Sequence, residues 1–204
     1  MSDEIKFIII GYLSGSVLFA RICAKVLNKP EILRESKDGN PGTANAFQYG
    51  GFLCGVITLI GDLAKGFLPI YMFVKNGGSF TRSLIPAALV FSAPVIGHAF
   101  PLYWGFQGGK GIAVTFGCLL AALPEYRPLL TFALLFVVFS SLLRITPHYS
   151  RTIVTYIAAV LILAFTRCVP GIKIGFLIVS AVVILRMHMS KERREKGRLS
   201  VLWL

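Results

Sequence analysis

The run Gly105-Phe-Gln-Gly-Gly-Lys-Gly111 holds the densest chemistry in the chain. Glycine has no Cβ to block a ligand, so consecutive backbone N–H groups can converge on an anion. Lys110 adds a full positive charge, and the apolar run behind it predicts a helix N-terminus facing the same anion. The spacing is not a Walker A loop, because Gly111 stands where Ser or Thr is required. A generic GGKG is a flexible turn with one surface lysine. Here the loop meets a hydrophobic segment beside His98 and Pro101, which makes phosphate binding its functional reading.

A second polar loop runs from Arg34 to Asn45 and reads RESKDGNPGTAN. Its Ser, Asp, Asn, Gly and Pro are turn formers, and a tight connection is their ordinary role. The loop also concentrates Asn40, Thr43 and Asn45 beside Arg34, Lys37 and Asp38, more hydrogen-bonding groups than a connector needs. That density suits a polar head group. Asp62 and Lys65 sit inside an apolar run, three apart and so on one helical face. An unpaired charge at mid-membrane costs at least ~2.5–3.5 kcal/mol, so the two are expected to pair as a support for the site. Of the three histidines, His98 lies between Gly97 and Pro101, and His148 reads as a solvated loop residue. His188 follows the last apolar run, where an acid–base group can reach a substrate.

The elements that must position these groups are membrane helices. In 204 residues, 55% are hydrophobic and only 15% charged, and the mean hydropathy is +0.74. A soluble domain needs about 25% charged residues to clothe its surface, so a soluble enzyme is excluded. Seven apolar runs are expected to be helical, at 5–27, 50–75, 84–104, 111–123, 128–146, 151–167 and 172–188. The fourth is short for a span of about 20 residues and reads as a half-helix or one that begins earlier. Gly11 with Gly15, and Gly51 with Gly55, are small residues four apart that suit close helix packing. Cys23, Cys54, Cys118 and Cys168 are scattered and read as reduced packing residues. The N-terminal Met-Ser-Asp-Glu is acidic rather than basic, which favours a retained first helix over a cleaved signal.

Basic residues orient the bundle. With the N-terminus outside, the inner segments hold fourteen: Arg21, Lys25, Lys29, Arg34, Lys37, Lys110, Arg144, Arg151, Arg186, Lys191, Arg193, Arg194, Lys196 and Arg198. The outer segments hold six: Lys6, Lys75, Arg82, Arg127, Arg167 and Lys173. The positive-inside rule then places the N-terminus outside, the C-terminus in the cytoplasm and both polar loops on the cytoplasmic side. The expected architecture is an all-α, polytopic transmembrane bundle, a single integral membrane domain over 1–204. The net charge of +12 is explained by topology and anionic lipid, with no need of nucleic acid.

Four stretches resemble the PlsY-type glycerol-3-phosphate acyltransferases: Tyr12 to Phe19, Gly39 to Asn45, Gly61 to Gly66, and Gly97 to Gly111, whose GHAFPLYWGFQGGKG is the specific one. The resemblance implies a compact seven-helix membrane fold with a cytoplasmic site in the cell membrane. It implies acyl transfer from acyl phosphate to the 1-hydroxyl of glycerol 3-phosphate, giving lysophosphatidic acid without acyl-CoA, metal or cofactor. On it, Gly108, Gly109, Lys110 and Gly111 bind a phosphate, with His98 beside them. Gly39, Asn40, Thr43 and Asn45 position the head group, Arg34 supplies charge, and His188 or Asp38 takes the hydroxyl proton.

The chain departs from the family pattern at defined points. Asp38 replaces the serine of GSGN(P)GATN, Thr43-Ala44 inverts Ala-Thr, Gln48 stands in place of an arginine, and Gln107 replaces the first lysine of FKGGKG. The closing HRxNI survives only as His188, with Met189 and Lys191 in the Arg and Asn places. Gln48 lacks the bidentate fork of arginine, and Asp38 needs a cationic partner, for which Arg34, Lys37 and Lys110 are available. Two other readings stay open: a homologue that binds a lipid or phosphorylated metabolite without catalysis, and a small transporter with Asp62 and Lys65 on its path. No two-half repeat supports the latter.

Overall fold

Backbone in hydrocarbon must satisfy its own hydrogen bonds, so apolar runs bounded by glycine, proline and charge become helices. The computed structural model describes residues 3–190 and 198–201. Lys191, Arg193, Arg194 and Lys196 of the basic tail lie outside them. The helices are α1 (Asp3–Gly15), α2 (Phe19–Val26), α3 (Ile32–Glu35), α4 (Thr43–Gly50), α5 (Phe52–Lys75), α6 (Leu84–Ala99), α7 (Ile112–Ala121), α8 (Arg127–Val137), α9 (His148–Phe165) and α10 (Pro170–Met189).

Among the described residues, five stretches are long and apolar enough to cross a membrane: Asp3–Val26, Phe52–Lys75, Leu84–Trp104, His148–Phe165 and Pro170–Met189. Ile112–Ala121 and Arg127–Leu142 are shorter apolar helices. Each of the seven expected runs therefore has a helix within it. The fourth is a half-helix that does not begin earlier, because Gly111 adopts a left-handed φ of +78° and caps α7.

The first span is broken. Ser16, Val17 and Leu18 separate α1 from α2. Ser16 Oγ donates to Tyr12 O at 2.8 Å and accepts from Leu102 N at 3.2 Å. The break also frees the Val17 carbonyl, which matters below.

Helix α6 packs between α1 and α10, while α5 packs on α7, α4 and α1. Absent Cβ atoms make the closest crossings possible. A methyl on Gly15 would fall 2.1 Å from Pro94 O, and one on Gly97 would fall 2.1 Å from Tyr12 O. Across α5 and α7, Gly66 faces Val114 O and Gly117 faces Leu63 O in the same way. Gly51 differs from the packing role expected of it. It turns the chain between α4 and α5 at φ +85°, and only Gly55 packs, against the Phe47 ring. The core centres on Phe132, whose ring lies 4.7 Å from Tyr156, 5.0 Å from Phe116 and 5.4 Å from Phe176.

One element departs from an all-α reading. Leu143–Thr146 pairs antiparallel with Arg198–Val201 as β1 and β2. Sequence placed residues 143–146 at the end of the fifth helical run. Pro147 drives the residue before it to extended backbone, and β-branched Ile145 and Thr146 favour the same state.

Candidate active site

The loop before α4 is built by its own side chains. Gly39 turns it at φ +61°, and Ser36 Oγ accepts from Asn40 N at 3.1 Å. Asp38 Oδ1 accepts from Asn45 Nδ2 at 2.7 Å and from Asn40 N at 3.3 Å, while Asn45 Nδ2 also reaches Asn40 O at 2.7 Å. Asp38 Oδ2 takes Lys110 Nζ at 2.9 Å. Of the three partners open to Asp38, Lys110 is the one engaged. Burial alone would raise the Asp38 carboxyl, but the hydrogen bond and charge of Lys110, with the Asn45 and Asn40 N–H groups, hold it below its ordinary value.

The glycine loop lies directly on His98. A Cβ at Gly108 would fall 1.8 Å from His98 O, and one at Gly109 would fall 2.3 Å from His98 Nε2, so only glycine fits. The loop's amides are partly committed. Gly109 N donates to His98 O at 3.0 Å, and Lys110 N donates to Asn40 Oδ1 at 3.2 Å. The open donors are therefore at the first turn of α7, whose N–H groups have no helical acceptor. Arg186, near the end of α10, donates to Gly108 O through Nε at 3.2 Å and its terminal nitrogen at 2.6 Å.

Asp62 and Lys65 pair as their spacing predicts, at 2.8 Å, and both are buried. Asp62 Oδ2 also accepts from Thr43 Oγ1 at 3.3 Å. Lys65 Nζ reaches the freed Val17 O at 2.6 Å and His98 Nδ1 at 2.8 Å. The pair thus joins α4, the break in the first span, and α6.

These groups border a cavity of about 870 Å³. One part is polar, with Asn40, Thr43, Asp62, His98 and Lys110; the rest is mainly apolar, with Leu59, Leu63, Phe116, Leu120, Leu129, Leu130 and Ala133, and Tyr126 and His148 also line it. Gly111, Ile112 and Ala113 bring the start of α7 to it, and Gly42, Thr43 and Ala44 bring the start of α4. Asp38, Asn45, Lys65, Gly108 and Gly109 reach the lining through hydrogen bonds or direct contact with it.

Other expected residues lie elsewhere. Arg34 is exposed and pairs with Glu31 at 3.0 Å, while Glu31 also pairs with Arg21. His188 is exposed on α10, with Nδ1 2.8 Å from Ile184 O and its ring 5.8 Å from Tyr149. It is not part of the cavity lining. Gln48 and Gln107 are exposed. Sequence reasoning missed Arg186, the Val17 carbonyl and the place of His148, which is exposed as expected and also lines the cavity. The only signal for Arg186 was a basic residue in the last turn of a span.

Comparison with known proteins follows the same lines. The family described as Glycerol-3-phosphate acyltransferase matches residues 5–197. The glycerol-3-phosphate acyltransferase of Laribacter hongkongensis is 33% identical over 184 residues, covering 90% of this chain and 88% of that protein. That of Photobacterium profundum is 30% identical over 206 residues, covering 100% and 95%. The crystal structure of PlsY (YgiH), an integral membrane glycerol 3-phosphate acyltransferase, in its glycerol 3-phosphate form has a TM-score of 0.76 at 27% identity, covering 92% of this chain and 90% of that one. Its lysophosphatidic acid form gives 0.71. A fold shared over almost the whole of an integral membrane protein makes this a multi-pass membrane protein. The chain belongs to the glycerol-3-phosphate acyltransferase family.

Proposed function

We propose that the chain transfers the acyl group of an acyl phosphate to the 1-hydroxyl of glycerol 3-phosphate, at a site open to the cytoplasm. One observation carries this reading: two helix N-termini, of α4 and α7, open on a single cavity that continues between mainly apolar walls. Each N-terminus offers unpartnered N–H groups and the positive end of a helix dipole, so the cavity is suited to two anions. Two phosphorylated substrates, one with a hydrocarbon tail, fit that layout. The solved relative, in glycerol 3-phosphate and lysophosphatidic acid forms, agrees with it.

The donor phosphate sits at the start of α7 beside Lys110. The acceptor's phosphate takes the start of α4, where Asn40 and Thr43 line the cavity. The acyl tail lies between α5, α7 and α8. The acceptor's 1-hydroxyl oxygen attacks the acyl carbonyl carbon, the bond from that carbon to the phosphate oxygen breaks, and phosphate departs. Both oxygens of Asp38 are engaged by Lys110, Asn45 and Asn40, and His188 is not in the lining. The hydroxyl proton therefore passes to the departing phosphate, whose own pKa near 6 suits it as a base. Asp38 positions Lys110. Because acyl phosphate carries its own leaving group, alignment and charge stabilisation supply the acceleration.

The test is purified protein with palmitoyl phosphate and radiolabelled glycerol 3-phosphate, read as lysophosphatidic acid. Product is expected, with kcat/KM lowered about 100-fold or more in Lys110→Met. Both substrates binding without product would instead indicate a binding homologue.

A further inference from the structure

We infer that the ribbon of β1 and β2 is a binding surface for anionic phospholipid, lying at headgroup depth with its arginines on the lipid phosphates. In the antiparallel pair Arg144 stands opposite Ser200, and Thr146 opposite Arg198. Side chains alternate along a strand and directly opposed partners share a face, so these four take one face. Leu143, Ile145 and Leu199 take the other. The ribbon is therefore amphipathic, cationic on one side and apolar on the other.

The described residues cover neither face. The sheet has two strands only. Strand β1 packs on residues 138–142 and on α9, while β2 is held chiefly by β1. A lone two-stranded ribbon is at best marginal in water and needs a surface to lie on. Leu199 is 66% exposed and Leu143 38%. They extend the apolar surface of Leu134, Val137 and Leu142, exposed on the passage that leads into β1. That passage faces hydrocarbon, so continuity puts the apolar face of the ribbon at the hydrocarbon boundary.

The cationic face selects the lipid. Arg144 and Arg198 are exposed diagonal neighbours, roughly 7–8 Å apart, and the charge of Arg144 also acts on Arg151 in the first turn of α9. None of the three has an ion pair among the described residues, and Arg151 Nε is buried there without a hydrogen-bond partner. Long arginine side chains reach sideways from a ribbon at headgroup depth, and a guanidinium holds phosphate oxygens in a charge-assisted fork. A phospholipid with a net negative headgroup cancels the repulsion among them. A zwitterionic one brings its own cation and does so poorly. His148, two residues beyond β1, lines the cavity, so a lipid held by the ribbon also steadies the cavity's edge.

The test is amide hydrogen exchange of the full chain in nanodiscs of phosphatidylcholine, with and without added phosphatidylglycerol. Exchange in β1 and β2 is expected to slow about tenfold with phosphatidylglycerol, and high salt should narrow the difference. The exposed pair Arg144→Gln/Arg198→Gln should abolish that gain. Lys25→Gln/Lys29→Gln, which removes two exposed charges elsewhere, should keep it. Native mass spectrometry should find phosphatidylglycerol retained in preference to phosphatidylcholine by the wild type and not by the arginine double variant. Equal exchange in the two lipids, or equal loss in the two double variants, would overturn the inference. So would the same protection by inorganic phosphate in lipid-free detergent, which marks a site for a free anion. None of these measurements needs turnover, so their outcome is separate from whether lysophosphatidic acid is formed.

Discussion

Asp38 and Lys110 depend on one another more than any other two residues of the polar loops. Their 2.9 Å contact joins segments 72 residues apart and cancels a carboxylate beside the proposed phosphate site. Because the folded carboxyl is lower than ordinary, its contribution is complete above the ordinary value of ~3.9 and is lost as pH falls through the lowered one. Asp38→Asn is therefore expected to melt about 2–4 °C below wild type from about pH 8 down to about pH 5. The gap should close below about pH 4 in thermal melts of the purified protein; a gap that widens there would contradict the assignment. Sequence exposed the need for a partner to Asp38 but left three cations available. Only the fold chooses, since Asn40 Oδ1 accepts from Lys110 N and sets the two loops against each other. Arg186 was illegible for the opposite reason. Its acceptor is a backbone carbonyl, Gly108 O, and a carbonyl leaves no mark in a sequence.

Helices succeed or fail here by how closely their backbones approach. The Gly11/Gly15 spacing gave one half of the α1–α6 crossing from sequence, and its complement in Pro94 and Gly97 came from the structure. Gly97→Ala would drive a methyl into Tyr12 O, a backbone atom that cannot rotate away. A loss of about 1–3 kcal/mol is expected, seen as a lowered thermal midpoint with the site residues intact. Of the two readings open for the short fourth run, the half-helix is the one found, and its consequence is chemical. Ending α7 at Gly111 puts an open helix N-terminus inside the bundle rather than at its edge. Helices α7 and α8 then wall the apolar part of the cavity. Ala133→Trp is expected to fill it, lowering kcat/KM for long-chain acyl phosphates about tenfold while sparing short-chain donors. Competition between donors of different length measures that ratio directly, and equal losses for both would remove α8 from the acyl wall. The break at Ser16–Leu18 was invisible because its residues are apolar or small; only the burial of Lys65 demands the freed carbonyl.

Two ends of the molecule can be recognised without reference to charge. At one, the loop before α4, the glycine loop and the last turn of α10 meet through Lys110–Asp38 and Arg186–Gly108. At the other, the start of α10 meets the segment after α5, where Gly171 N donates to Phe80 O at 3.1 Å. Loops after the first and third spans share an end only if the chain alternates across the bundle. Seven passages, two of them short, satisfy that alternation. Charge offers a way to distinguish the faces: the sequence count assigns fourteen of 21 basic residues to the segments expected inside, and the positive-inside rule would place those segments in the cytoplasm. The excess of +12 is thus mostly an orientation signal. Within the site the cations are few, and Lys110 is already paired, which leaves helix N-termini to carry much of the anion binding. Orientation can be read with single cysteines after Cys23, Cys54, Cys118 and Cys168 are replaced by alanine. Lys37→Cys, at an exposed position in the loop before α4, should react with a membrane-impermeant maleimide only in inverted vesicles. Thr81→Cys, exposed near the opposite end, should react only in right-side-out vesicles. Reversal of both would place the site outside, where a soluble cytoplasmic acceptor could not reach it; reaction of both from one side would break the alternation itself.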